Sequence, residues 1–307
     1  MGRSTLQMNV LILGSDGQLG HELSKNLLNC NVIPCNRAVV NLEDNDSIEK
    51  AINKYQPEII INAAAYTSVD LAESEESKAI QINAHGVNEL AKLAHKNNIF
   101  LIHYSTDYVF NGAGETPFTE ETSPDPINAY GKSKLLGEKY IKESLCNYLI
   151  FRTTWVIGEE GENFAKSILR LAFTKNTLKI VSDQHGVPTS TALIRKVTNE
   201  AIMSYFNHDP WESGIYHLTP QGKTSWYNIA RQIIFLAEKY KLKLKVKSHE
   251  IIPIASSDFP TAAKRPLNSI LNTEKLKHKI SFNLPFWEDD FRPVAQKIIE
   301  DFDCNAS

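Results

Sequence analysis

Cysteine is scarce: Cys30, Cys35, Cys146 and Cys304 are the only four in 307 residues, and no two form a C-x-x-C pair. Thiols this few and scattered exclude a disulfide framework and point to a reduced, cytoplasmic chain. No apolar run approaches the roughly 18 residues that a membrane span requires. Neither sign of charge dominates. With 33 basic side chains against 36 acidic ones and a net charge of −3, there is no footprint for nucleic acid or an anionic membrane. The nine histidines show no H-E-x-x-H or similar ligand spacing, so no metal is expected. Met1–Gln7 lack the apolar core of a signal peptide and read as a leader or tag remnant, since Met8 could also serve as a start.

What is present is an ordinary globular composition, 42% hydrophobic and 22% charged, long enough for one large domain or two modest ones. Short apolar runs alternate with helical stretches. Met8–Leu13 is a strand ending at a glycine, and a helix follows over about Gln18–Leu28. Val32–Cys35 is a second strand, and Asp46 is placed to cap a helix running to Tyr55. Ile59–Ile61, Phe100–Ser105 and Leu149–Thr153 are further strands, with a long helix over Lys78–Asn97 and another from about Asn128. Beyond residue 155 helices are expected at Asn163–Thr174, Thr191–Phe206, Ser225–Tyr240 and Phe286–Asp301, with Pro253, Pro260 and Pro266 interrupting a long loop. Such a β-α-β-α order requires parallel strands joined by crossovers. The expected fold class is therefore α/β. Residues 8–155 form a Rossmann-type, doubly wound parallel sheet, and 156–307 mainly a smaller, partly interleaved substrate domain, with some segments returning to the first.

Three motifs carry chemistry. Gly14, Gly17 and Gly20 lie between the first strand and first helix, where glycines permit a tight turn and close approach of a pyrophosphate to free helix N–H groups. Their spacing is G-x-x-G-x-x-G, one residue longer than the standard dinucleotide fingerprint. At the end of the second strand, where an acidic residue would bind a ribose 2′-hydroxyl, stand Asn36 and Arg37. Arg37 suits a 2′-phosphate, which favours NADPH, unless it is simply a solvated side chain.

Tyr130 and Lys134, four residues apart, share a helix face. An ammonium beside a phenol favours the phenolate and makes the tyrosine a usable acid or base. A Tyr-x-x-x-Lys is expected by chance among eleven tyrosines, so its position after the fourth strand carries the argument. Thr106 ends that strand, on the side where open α/β sheets bind ligands, and its hydroxyl can meet a substrate oxygen beside Tyr130.

Taken together these motifs resemble the extended short-chain dehydrogenase/reductase superfamily. Longer words resemble the dTDP-4-dehydrorhamnose reductase family: Asn62–Thr67, Val69-Asp70, Ser105–Phe110, Asn128–Lys134, Phe151–Val156, Asp183–Thr189 and Arg265–Ser269. The likeness runs from about Met8 to about Trp287. It implies NAD(P)H-dependent reduction of the C4 ketone of dTDP-4-dehydro-L-rhamnose to dTDP-L-rhamnose. That is the last step towards a nucleotide-sugar precursor of cell-surface polysaccharide such as lipopolysaccharide O-antigen. By resemblance Tyr130 is the acid, Lys134 tunes it and anchors the ribose, and Thr106 aligns the ketone. Gly17, Gln18, Leu19, Asn41, Leu42, Ala65, Tyr66, Thr67 and Tyr104 match cofactor positions, and Gly14, Gly20, Ala63, Asn36 and Arg37 are assigned to the same ligand. Asp107 and Trp155 match positions that contact the sugar nucleotide, with Val69 and Phe110 beside them; core packing is the plain alternative for Trp155. The family's acid at strand two is Asn36 here, which leaves NADH acceptance open. Of the glutamates that hold magnesium at a dimer contact in some members, only Glu22 has a counterpart, so no metal is expected; a homodimer stays open.

Rival readings share the fold. A dehydratase would need a second carboxylate after Asp107, where Tyr108 stands. Another nucleotide-4-ketosugar reductase, or a non-catalytic subunit similar to the methionine adenosyltransferase β subunit, would keep much of the same sequence.

Overall fold

The computed structural model describes residues 8–306, and the Met1–Gln7 leader lies outside the described residues. Five strands come from the first half of the chain: β1 (Met8–Leu13), β2 (Cys30–Cys35), β3 (Ile59–Asn62), β4 (Phe100–Thr106) and β5 (Tyr148–Thr153). The strand Gly214–His217 returns from the second half and pairs with β5. Read from that edge, the order is Gly214–His217, β5, β4, β3, β1, β2. Every pairing is parallel. All four residues of β3 and all seven of β4 are buried, because helices cover both faces. The chain turns one way from β1 to β2 and the other way to β3. The crevice outside the carboxyl ends of β1 and β3 is therefore where a ligand fits.

The helices are α1 (Gln18–Asn26), α2 (Asn45–Tyr55), α3 (Val69–Ala72), α4 (Glu76–Ile80), α5 (Gly86–Lys96), α6 (Ala129–Glu143), α7 (Phe164–Thr174), α8 (Thr191–Phe206), α9 (Trp226–Lys239), α10 (Glu274–Lys277) and α11 (Trp287–Ala306). Alternate side chains of β1 serve opposite faces. Val10 and Ile12 pack with Leu23 of α1 and Ile194 and Val197 of α8. Leu11 and Leu13 pack with Ile48 of α2 and Leu90 of α5. A third core joins Ile168 of α7, Ile233 of α9 and Phe291 and Ile298 of α11. Each buried aliphatic side chain contributes roughly 1.5–3 kcal/mol.

Two expectations change in detail. The helix read over Lys78–Asn97 begins at Glu76 and is interrupted by a π-helical turn, Gln81–His85. That turn points Asn83 at α6, where its amide donates to Ser133 Oγ at 3.0 Å. The carbonyl of Asn83 comes so close that a Cβ at Gly137 would lie 2.1 Å from it. The cap of α2 is Asp44, not Asp46, for the Asp44 carboxylate accepts the Asp46 N–H at 3.1 Å.

An ion pair fastens α6 to the sheet. Arg152 on β5 donates from Nε and Nη2 to Glu138 on α6, at 2.9 and 2.6 Å, and the Ser105 hydroxyl donates to Glu138 Oε1 at 2.6 Å. The two charged side chains are 1% and 0% exposed. Removing one partner strands the other charge in low dielectric. Arg152→Met should therefore lower stability by about 3–5 kcal/mol, read from the urea midpoint, and adding Glu138→Leu should recover most of that loss. An unchanged midpoint in Arg152→Met would show that the pair is not a stabilising element.

Candidate active site

At the reversal between β1 and β3 lies a cavity of about 410 Å³. Gly14 turns out of β1 at φ +77°, and a Cβ there would lie 2.8 Å from Ala64 Cα. Gly17 stands at the N-cap of α1 without a side chain to cover its first N–H groups. Because Gly17, Gln18 and Leu19 line the cavity, the positive end of α1 faces it, as an anion requires. Gly14, Arg37, Asn41, Leu42, Ala63, Ala65, Thr67, Tyr104, Tyr130 and Lys134, all assigned to the cofactor from sequence, line it too. One lining hydroxyl, Thr153 Oγ1, is buried without a partner. An orphaned polar atom on the wall of the same cavity, at the end of β5, fits a dinucleotide, whose polar groups would satisfy it.

Three expected cofactor residues sit behind the wall. Gly20 packs against the turn, where a Cβ would lie 2.0 Å from Gly14 O. Asn36 spends its carboxamide oxygen on the N–H groups of Ala38 and Val39, at 3.1 and 3.3 Å, closing the turn after β2. Tyr66 directs its hydroxyl to Glu75 at 2.9 Å. Arg37 keeps its place on the wall but is paired with Glu43. Glu22, the lone metal candidate, is bonded to Arg195 at 2.6 Å. Sequence reading missed Asp16, Val40, Ala64, Ile82, Ser105, Thr153 and Val156 on the lining.

Of the three catalytic candidates, Tyr130 and Lys134 line this cavity, while Thr106 lines neither cavity and stands beside the Tyr130 phenol. Asn128 caps α6 by accepting the Gly131 N–H at 2.7 Å, and donates to Lys264 O at 2.8 Å. This fixes the first turn, on which Tyr130 stands. Thr106 donates to Asp107 Oδ1 at 3.2 Å. Burial and the Asp107 charge hold the Tyr130 phenol above its ordinary range, and the Thr106 hydroxyl beside it works the other way. Lys134 is 2% exposed and donates to Tyr104 O at 2.7 Å. Burial brings its ammonium down to about 8, against the pull of Glu138. Asp107 is 4% exposed, with Oδ2 unpartnered. Burial raises its carboxyl to about 6, despite hydrogen bonds from Ser269 and Thr106.

A second cavity, about 720 Å³, lies on the Tyr108 side of the site. Tyr108 lines it and meets Tyr130 edge to face, ring centres 5.6 Å apart. Its wall combines Trp226 and Phe259 with the cations Lys179, Lys264 and Arg265. Arg265 is held by Asp70 through two bonds of 3.0 and 2.8 Å. None of these residues was singled out from sequence as a binding residue. Trp155 stands behind this wall, stacked on Trp226 with ring centres 3.9 Å apart. Its φ of +42° is a conformation a bulky residue adopts only where its surroundings enforce it. Phe110 is a packing residue, 1% exposed and stacked on Phe118 at 4.4 Å. Val69 opens α3 and lines neither cavity.

Comparison with known proteins identifies the family. Residues 8–299 match the family described as RmlD substrate binding domain. The chain is 40% identical over 286 residues to the dTDP-4-dehydrorhamnose reductase of Salmonella typhimurium, covering 92% of this chain and 95% of that one. It superposes on the crystal structure of dTDP-4-dehydrorhamnose reductase from Bacillus anthracis in complex with NADP with a TM-score of 0.84, at 32% identity, covering 94% and 98% of the two chains. A Clostridium acetobutylicum dTDP-4-dehydrorhamnose reductase structure gives 0.82 at 33% identity, covering 98% and 100%.

The raised Asp107 carboxyl has a consequence for stability. An acid that ionises later in the folded chain than in the unfolded one binds the extra proton when folded. Stability therefore falls as pH rises from about 4 to about 6. Asp107→Asn should abolish that fall and raise stability at neutral pH by on the order of 1–3 kcal/mol. Thermal midpoints of both proteins across this range test it; parallel curves would rule out a strained carboxylate.

Proposed function

The chain belongs to the RmlD substrate binding domain family of dTDP-4-dehydrorhamnose reductases, and on that premise we propose that it reduces the C4 ketone of dTDP-4-dehydro-L-rhamnose with NADPH. The observation that carries this reading is the place of Tyr130, on the wall of the first cavity and in ring contact with Tyr108 on the wall of the second. When bound in the first cavity, NADPH supplies the hydride. The Gly14–Leu19 turn and the start of α1 would hold its phosphates, and Arg37 the 2′-phosphate once it leaves Glu43. NADH lacks that phosphate and would forgo only the Arg37 contact.

The side chains divide the remaining work. Thr106 orients the ketone oxygen. Tyr130 gives its phenolic proton to that oxygen as negative charge develops there, so the phenol O–H breaks as the product O–H forms. Lys134, in its charged form, favours the resulting phenolate. Asp107, bonded to Thr106 through Oδ1 and with Oδ2 unpartnered, would accept a hydroxyl of the sugar. The nucleotide half fits the second cavity, where Trp226 offers a stacking face and Lys179, Lys264 and Arg265 face a diphosphate. Residues after 156 thus supply most of the substrate side. A nucleotide-sugar substrate and free thiols at Cys30, Cys35 and Cys146 agree with the cytoplasm. Among the described residues no helix is long and apolar enough to cross a membrane.

The direct test supplies the purified chain with dTDP-4-dehydro-L-rhamnose, follows NADPH and NADH absorbance separately, and identifies the product. Tyr130→Phe keeps the ring and removes the proton, so turnover should drop 10²–10⁴-fold with cofactor affinity little changed. Near wild-type turnover in that variant would refute the mechanism. Trp226→Ala should raise KM for the ketosugar roughly tenfold or more while leaving NADPH binding intact. Were NADPH binding to fall instead, the second cavity would not be the nucleotide-sugar side.

A further inference from the structure

Asn62 closes β3 and His103 is its register partner on β4. Both are buried, at 1% and 0% exposure. They stand in a row with Lys134. Asn62 Nδ2 lies 3.0 Å from His103 Nδ1, and His103 Nε2 lies 3.2 Å from Lys134 Nζ, which in turn donates to Tyr104 O at 2.7 Å. The Asn62 amide is not free to turn over, because its Oδ1 accepts the Ala64 N–H at 3.1 Å and a backbone N–H can only donate. Nδ2 therefore faces the ring, and Nδ1 must accept. In a neutral imidazole the proton then sits on Nε2, aimed at Lys134.

An Nε2–H meets an acceptor only in the lone pair of an unprotonated lysine. If Lys134 carries its full set of protons, two donors face each other, or the ring changes tautomer and faces the Asn62 donor instead. Either arrangement leaves a buried donor unpaired. The ring does not escape by taking a second proton, since burial and the nearby Lys134 hold its pKa well below the ordinary value.

We propose that Asn62 and His103 are positioning residues that set the protonation state of Lys134, favouring the amine and so deciding the pH at which its charge is available to Tyr130. This rests on the reading of Lys134 as the group that tunes Tyr130. The other charged or titratable groups around it are few. Tyr130 and Glu138 share its helix, Asp107 acts on Tyr130 from the end of β4, and Arg152 on β5 is bonded to Glu138. Glu138 favours the ammonium, but its oxygens are engaged by Arg152 and Ser105. β3 offers only the neutral Asn62.

Asn62→Asp is the discriminating change. It keeps the shape and the oxygen that meets Ala64, and turns the donor facing His103 into an acceptor. The imidazole should move its proton to Nδ1, and Nε2 should then accept from a Lys134 ammonium. Lysine Cε shifts, titrated by NMR in the full chain with and without NADPH, should place Lys134 about one pH unit or more higher in the variant. The alkaline limb of kcat/KM should move by the same amount, which loss of packing alone would not produce. In the wild type, nitrogen-15 spectra of labelled histidine, with His103 identified by its loss in His103→Gln, should show the Nε2–H tautomer; this holds even if Asn62→Asp fails to fold. An Nδ1–H tautomer in the wild type, or a Lys134 titration unmoved by Asn62→Asp, would overturn the proposal. A ketosugar left unreduced by a chain with the Nε2–H tautomer and the shifted lysine would refute the proposed reaction alone.

Discussion

The pair of Glu138 and Arg152, sealed from water, governs where everything else on α6 can stand. Tyr130, Lys134 and Glu138 are spaced four residues apart and form one stripe along the helix. The carboxylate at the inner end is bonded to β5 through Arg152 and to β4 through Ser105. Rotation or sliding of α6 would break those bonds in a medium that offers no replacements. The register of phenol and ammonium against Thr106 is thus inherited from an ion pair that lines neither cavity.

A second set of constraints joins the catalytic helix to the far end of the chain. Asp70, at the start of α3, holds Arg265, and Asn128, at the cap of α6, holds the carbonyl of Lys264. Downstream, Asn268 binds the Gly112 and Thr116 carbonyls, and Phe118 bonds with Ile270 and Asn272. The loop read around Pro260 and Pro266 is irregular in backbone yet pinned along its length. It forms one wall of the second cavity.

What was legible in the sequence follows the range of the interactions. The parallel sheet, the glycine turn and the Tyr130–Lys134 face rest on local periodicity and on nearest-neighbour geometry, and these are written in contiguous residues. Asn36 shows the limit. It stands at the end of the second strand as read, but its side chain is consumed by a turn two residues away, a local bond that competes with ligand contact. Phe110 belongs to the right stretch and faces the wrong way, since nothing in the chain says on which side of a loop an aromatic ring will find partners. The second cavity was illegible because its wall is collected from Tyr108, Lys179, Trp226 and residues near 260. Asn62 and His103 were half legible: a polar residue inside or ending an apolar run must be paired, but its partner lies across the sheet.

The long reach of the Asp70–Arg265 pair also bears on biosynthesis. A chain leaving the ribosome from its N-terminus can assemble β1 to β5 and the glycine turn well before residue 265 emerges. Until then Asp70 and the start of α3 have no guanidinium to bind, and the cap of α6 lacks its tie to Lys264. The two halves of the cleft are thus completed at different times during translation. For that interval the nascent protein holds a cleft that lacks the wall from Ser256 to Leu267 opposite Tyr108.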